Sequence, residues 1–477
     1  MMKFSGCLSF ALIHLALAAG PARAAAPHEH VTPAAPPPES ADHAGHMPHM
    51  SGMPGMHGGD PVMARMMALD PNHMRMGSGT AWHPDSTPVA ALTRQAGDWS
   101  LMAHGAAWLT YSHLESPRGG GDKVLSQNWL MLMGQRPLSG GALMLRSMFS
   151  LDPVTVGGAG YPILFQTGES WRGKPLLDAQ HPHDFVMELA ADYSRPLGRD
   201  PDGPRWNLYA AAVGEPALGP EAFMHRQSGF ENPLAPISHH WQDATHITWG
   251  VLTLGLGGRQ WKVEGSVFNG HEPDENRWSP DPISLNSASA RLWYAPSPNW
   301  TAQVSTGRLD DPEALEPGDV TRHSASLQYN RPLKEGNLAA AFVWGQNREE
   351  HGVSDATLLE ANWAFGGQNY LFARAEWVRK SGLFLDPDPR HHETYDIGAY
   401  TLGYARDLVT SRDFVTAVGV EGMVYSKPSE LDEAYGRNPW AVYAFLRIRP
   451  RERPAMQHAM NGPMGGGMGG VHGEGRP

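Results

Sequence analysis

The run Arg259-Gln260-Trp261-Lys262-Val263-Glu264-Gly265-Ser266-Val267-Phe268 alternates strictly. Trp261, Val263, Gly265 and Val267 share one face, while Lys262, Glu264 and Ser266 share the other. A period of two is that of a β-strand, and such a run is long enough to cross a bilayer at a tilt. It follows the turn signal Gly257-Gly258, and the segment before that turn has the same build. Working outward, the chain divides into about 16 candidate strands near 99–111, 127–134, 141–150, 183–195, 205–213, 245–256, 259–268, 286–296, 299–308, 321–330, 338–346, 355–365, 368–379, 393–406, 413–425 and 439–449. Ser297-Pro298 and Gly366-Gly367 are further tight turns, and Gln135–Gly140 and Pro332–Asn337 are short, whereas 151–182, 214–244 and 269–285 are long loops. Short turns at one end and long loops at the other are the build of an antiparallel transmembrane β-barrel.

A soluble sandwich would alternate in the same way. Three features favour the barrel: polar residues that would line a lumen, an even strand count, and aromatic residues near strand ends (Trp108, Trp129, Trp249, Trp261, Trp293, Trp300, Trp363, Trp377 and Trp440). Lumen-facing Glu188, Glu264, Arg291, Arg322 and Glu376 predict water inside and a pore, unless the long loops plug it and leave an anchor.

Composition bounds the alternatives. Charged residues are 18% of 477, below the roughly 25% of soluble proteins. A net charge of −12 argues against a nucleic-acid partner. Mean hydropathy is −0.40, and the one long apolar run is N-terminal, which excludes a helical membrane protein but not a barrel. That run reads as a secretory signal: Lys3, then apolar Leu8 to Ala19, then the small-residue site Ala22-Arg23-Ala24. Cleavage there removes Cys7, the single cysteine. The expected organisation is a signal peptide over 1–24, a disordered Pro/His/Met-rich periplasmic arm over 25–97, a barrel over 98–450 and a disordered Gly/Met-rich tail over 451–477. An even strand count returns the chain to the side on which it started, so both tails are expected in the periplasm.

The arm carries the sharpest chemical signal. His43, His46, Met47, His49, Met50, Met53, Met56, His57, Met63, Met66, Met67, His73, Met74 and Met76 crowd one short stretch. Thioether sulfur selects Cu(I) or Ag(I), and imidazole suits Cu(II), so a copper ion is the expected ligand. The plainer reading is a flexible export tail rich in methionine by chance, which nine methionines between Met47 and Met76 weaken.

Further clusters lie at loop-to-strand corners. His181-Pro182-His183-Asp184 precedes a strand in which Asp184, Glu188 and Asp192 share one face and Phe185, Met187 and Leu189 the other. Ser238-His239-His240-Trp241-Gln242-Asp243-Ala244-Thr245-His246 places His246 on the lumen face if Ile247 and Trp249 face lipid. His271-Glu272 and His391-His392-Glu393 fall at the same predicted rim. His181, His183, Asp184, His239, His240, Asp243, His246 and His271 are therefore candidate metal ligands, although polar loop clusters also simply hold loops together. None has diagnostic spacing.

An enzyme is not expected. Gly-x-Ser-x-Gly, His-Glu-x-x-His and phosphate-loop motifs are absent. Ser238, His239 and Asp243 lie close in sequence, which is not triad geometry.

The layout of signal peptide, Met/His-rich leader over 43–76 and barrel resembles the outer-membrane copper-resistance protein B family. His181–Glu188 and Ser238–His246 are similar to segments of uncharacterised bacterial outer-membrane proteins often encoded near metal-resistance genes. The resemblance implies copper (or silver) handling, with outer-membrane lipid, metal ions and periplasmic metal-handling proteins as partners. The alternative is a general porin with an incidental tail. Oligomeric state and direction of transport stay open.

Overall fold

The structure, a computed structural model, describes residues 60–200, 203–350 and 352–452. Its antiparallel strands form a closed 16-strand barrel. In chain order they are β1 (Trp99–Glu115), β2 (Asn128–Leu138), β3 (Gly141–Phe149), β4 (Val186–Pro196), β5 (Arg205–Gly214), β6 (Thr248–Gly257), β7 (Trp261–Phe268), β8 (Ser287–Ser297), β9 (Trp300–Leu309), β10 (Val320–Leu333), β11 (Gly336–Glu349), β12 (Gly352–Phe365), β13 (Asn369–Lys380), β14 (Tyr395–Thr410), β15 (Phe414–Ser426) and β16 (Trp440–Pro450). Closure runs from Ala107↔Ile448 to Glu115↔Trp440, joining β1 to β16. Two short strands, Leu92–Ala96 and Lys123–Leu125, add to β1.

Every strand expected from alternation is present, because one face of each meets the interior and the other the surroundings. The outer face is apolar: Leu254 and Leu402 are each 61% exposed, and Leu109, Leu130, Val304, Leu359 and Val420 join them. Such a surface suits hydrocarbon and not water. Five of the nine strand-end tryptophans (Trp261, Trp300, Trp363, Trp377, Trp440) face outward, whereas Trp108, Trp129, Trp249 and Trp293 are buried. Ile247 is buried with Trp249, so neither faces lipid as the placing of His246 assumed. The expected alternation of β4 is broken at its start. A register shift between Met148 and Phe149 turns both Met187 and Glu188 inward.

Two inserts fill the lumen where water was expected. The first is part of the expected disordered arm: from Asp60 onward the chain is folded. Helix α1 (Pro61–Leu69) starts on an Asp60 cap whose carboxylate accepts from Val62 N at 2.9 Å, with Pro61 in the first turn. It buries Val62 and Met66, one turn apart. The chain then crosses the short-turn half of the barrel, where Ser86 Oγ donates to Asn330 O (2.7 Å) and Arg291 donates to Thr80 Oγ1 (2.9 Å). The second insert, 215–247, folds down from the long-loop side and is buried over nearly its whole length. The two meet where Ala222 N donates to Ser78 Oγ at 2.9 Å. A hairpin of Tyr161–Trp171 and Lys174–Gln180 packs against the second insert, with Tyr161 Oη accepting from Ala235 N (3.1 Å).

The expected lumen charges are spent partly on these inserts and partly on neighbouring strands. Arg291 pairs with Glu264 (3.1 Å) and donates to Gly219 O (2.9 Å); Glu376 accepts from Ser238 N (2.9 Å). Glu188 pairs with Arg146 on the neighbouring strand, and Arg322 donates to Asn347 (2.9 Å).

Candidate metal centre

The second insert brings imidazoles together inside the barrel. Its helical turn His239–Gln242 and the following turn Ala244–His246 place His239, His240 and His246 within one layer. The corner before β4 adds His181 and His183. Ring centroids form a connected set: His183–His246 5.5 Å, His239–His246 5.1 Å, His239–His240 5.3 Å, His181–His240 5.9 Å and His181–His239 6.3 Å. Phe223 packs against three of these rings, those of His183, His239 and His246.

Orientation matters more than proximity. His183 Nδ1 lies 2.8 Å from Asp152 Oδ2, His239 Nδ1 2.6 Å from Asp243 Oδ1, and His246 Nδ1 2.8 Å from Asp243 O. Rings held through one nitrogen present the other, which is how metal-ligating histidines are fixed. His246 Nε2 is buried without a hydrogen-bond partner, and neither ring nitrogen of His240 makes a hydrogen bond, its Nδ1 standing 3.7 Å from Glu272 Oε1 and 3.9 Å from Glu313 Oε1. His240, Glu272 and Glu313 offer ligand atoms all within 4.8 Å of one another. Gly168 permits the packing here: its φ is +115°, and a Cβ would sit 2.3 Å from His240 Cε1.

At His181, His239 and His246 burial favours the neutral ring. Burial, reinforced by His239 and His183, pushes the His246 ring down to about 3. Burial and the neighbouring imidazoles hold His181 well below its usual range. Glu272 is lowered despite burial because the His240 ring stands beside it, while burial and Glu272 push Glu313 well up. Neutral imidazole with the Glu272 carboxylate forms a donor set for borderline divalent ions such as Cu(II) or Zn(II).

Not every expected ligand belongs here. Asp184 faces Arg277 (3.2 Å), and Asp243 supports His239 while paired with Arg226 (2.5 Å). His271 is exposed and its Nδ1 lies by Asp311 O (2.5 Å); His391 Nδ1 lies by Phe384 O (2.6 Å). Ser238 Oγ donates to Glu376 (2.7 Å), away from the His239–Asp243 pair, so those three residues form no triad. His43, His46, Met47, His49, Met50, Met53, Met56 and His57, with the tail beyond Glu452, lie outside the described residues. Met63, Met66 and Met67 sit on α1 rather than on a loose arm, with Met66 fully buried. His73 is wedged between Gln135 (2.9 Å) and Asp192 (2.8 Å) and has no ring nitrogen to offer a metal. Asp152, Phe223 and Glu313 carried no signal in the sequence; each reaches the centre from a different loop.

No family model matches the chain, and no curated protein matches it. Solved structures that resemble it include OprB of Pseudomonas putida (10% identity, TM-score 0.47, covering 74% of this chain and 94% of that one). The anion-selective porin of Comamonas acidovorans shows 10% identity and a TM-score of 0.45 over 74% of this chain and 99% of that one. OmpF of Salmonella typhi shows 9% identity and a TM-score of 0.45 over 75% and 100%. The fold itself rests on the closed strand pairing described above.

Proposed function

We propose that this protein is an outer-membrane barrel that handles copper (or silver), holding a transition-metal ion among the histidines of its filled lumen. One observation carries the reading. Three imidazoles are each fixed through Nδ1 to an acceptor, and beside them His240 has two buried nitrogens that make no hydrogen bond, close to the carboxyl groups of Glu272 and Glu313. A purely structural polar cluster would satisfy its buried nitrogens. The inserts count against a general diffusion porin, since backbone and side chains occupy the space an aqueous channel would need. The Met/His-rich leader is then a capture arm that exchanges ions with periplasmic metal-handling proteins, and outer-membrane lipid surrounds the apolar wall.

The test is Cu(II) stoichiometry of the full-length protein, measured by elemental analysis after gel filtration, against His240→Ala/His246→Ala. The leader binds equally in both, so the expected difference is about one ion per chain. Equal stoichiometry in two proteins with the same heat-modifiable electrophoretic mobility overturns the lumen centre.

A further inference from the structure

A second pocket of different chemistry lies on the far side of Trp129 from the imidazole layer. It is a cavity of about 90 Å³ between the first insert and β1–β2, lined by Met74, Met76, Met102, Met133, His104 and His225. The sheet register explains the sulfur content. Met102 and Met133 are direct cross-strand partners, and so are His104 and Met131. Directly opposed side chains stand roughly 4.5–5.5 Å apart at Cβ, which sets two thioethers side by side on the inner face with an imidazole next to them. The first insert lays Met74 and Met76 across this row.

Methionine is also a common core filler, so sulfur alone decides nothing. The imidazoles decide it. His104 Nε2 and His225 Nε2 are both buried and both lack a hydrogen-bond partner, with ring centroids 6.1 Å apart. Two unpaired imidazole nitrogens at the edge of a thioether-lined cavity do not suit a packed apolar core. Glu221 Oε2, buried and without a hydrogen-bond partner, lines the same cavity and adds an oxygen to its rim. Arg449, the cation at its edge, is taken up by Glu452 and Tyr370 (both 2.9 Å). The volume exceeds the roughly 30 Å³ share of one water, ample for a bare ion.

We infer that this cavity is a binding site for a soft monovalent cation of the Cu(I)/Ag(I) class, ligated by Met102 and Met133 with His104 and His225. It rests on the metal-handling reading in its choice of ion. It deepens that reading by assigning a second ion class to a second place: thioether and imidazole here, imidazole and carboxylate in the layer beyond Trp129. Trp129 stands between them, edge-on to His104 at 5.3 Å and 4.5 Å from His225. Met131 and Met148, cross-strand partners on β2 and β3, continue the sulfur lining along the wall.

The probe is Ag(I), counted per chain in the full-length protein after gel filtration. Three proteins are compared: wild type, Met102→Leu/Met133→Leu and His104→Phe/His225→Phe. Leucine keeps the methionine volume, so the first variant retains the barrel, checked by heat-modifiable mobility. The expected result is loss of one Ag(I) per chain in both variants, with Cu(II) stoichiometry unchanged. Silver-soaked crystals should show an anomalous peak between Met102, Met133 and His104. Ag(I) counts equal to wild type in the leucine variant overturn the site, whatever the phenylalanine variant does. The Cu(II) readout keeps the two ideas separable. Absence of Cu(II) from the imidazole layer with one Ag(I) lost here leaves this site standing and removes the divalent centre. The reverse pattern removes this site alone.

Discussion

The barrel wall and the chain inside it are stabilised by opposite means. In the wall, backbone ladders satisfy the polar groups and outward side chains such as Leu254 and Leu402 meet the apolar surroundings. Inside, wall cations reach across to the inserts. Arg374 donates to Leu234 O (2.8 Å), Lys380 to Ile237 O (3.3 Å), Lys262 to Thr80 O, and Arg447 pairs with Glu231. A buried charge is costly unless paired, so each such wall residue specifies a partner on the insert. The comparison teaches that a charged inner face is not by itself evidence of a wet pore. The same residues that would line a channel are here the sockets that hold its filling.

The strongest way to break the comparison is to remove an insert charge that joins the insert to the wall. Arg226, on the second insert, is fully buried and joins Asp243 (2.5 Å) to Glu360 of β12 (2.7 Å). Arg226→Ala leaves two buried carboxylates without their common cation, an expected loss of about 3–5 kcal/mol. The loss should fall on the insert and not on the wall. Protease cleavage within 215–247 should appear while the heat-modifiable barrel band persists. An insert that stays resistant contradicts the ion-pair account of its attachment.

The wall offers the converse test. Leu254 faces outward on β6, and an arginine on a lipid face costs about 2–4 kcal/mol near the midplane. Leu254→Arg should therefore reduce folding into lipid vesicles while leaving the inserts' contacts untouched. If the denaturation midpoint in vesicles matches wild type, the apolar outer face does not meet hydrocarbon at that height.

These two regions also differed in how far their sequences could be read. Wall strands announce themselves because one solvent boundary imposes a period of two, as in Trp261 to Phe268. The second insert has no such boundary: from Glu215 to Ile247 nearly every side chain is buried on all sides, so no periodicity survives. Its histidines could be proposed as ligands from residue type alone, but Glu313 and Asp152 could not, since only the fold brings them near. The first insert was misjudged for a different reason. Its Pro/His/Met-rich composition suggests disorder, yet Asp60-Pro61 with Val62 and Met66 one turn apart is a legible helix start. Met102 and Met133 were hidden in plain alternation, because a methionine on an inner face reads as ordinary core until the register shows what stands opposite.

A subtler test concerns the hairpin that packs against the second insert. Phe165 and Asp178 both adopt left-handed backbone (φ 66° and 56°), a conformation that tertiary contacts must hold. One such contact is the Phe165 N–H donated to Asp178 Oδ1 at 2.7 Å. Burial pushes the Asp178 carboxyl up to about 6, despite Phe165 N–H and the Arg118 guanidinium nearby. Between the ordinary carboxylate range and pH 6 the folded chain therefore binds the proton more tightly than the unfolded one. The resulting stabilisation is complete at low pH and is lost as the pH rises through about 6. The hairpin should thus be better protected at pH 5 than at pH 7. Asp178→Asn keeps an acceptor for Phe165 and removes the titration, so it should gain about 1–3 kcal/mol of local stability at pH 7 and flatten the pH dependence. Protection factors of the Phe165 amide at the two pH values measure this directly. If the wild type is less protected at pH 5, Asp178 is held as a carboxylate by Arg118, and the hairpin belongs with the ion-paired inserts.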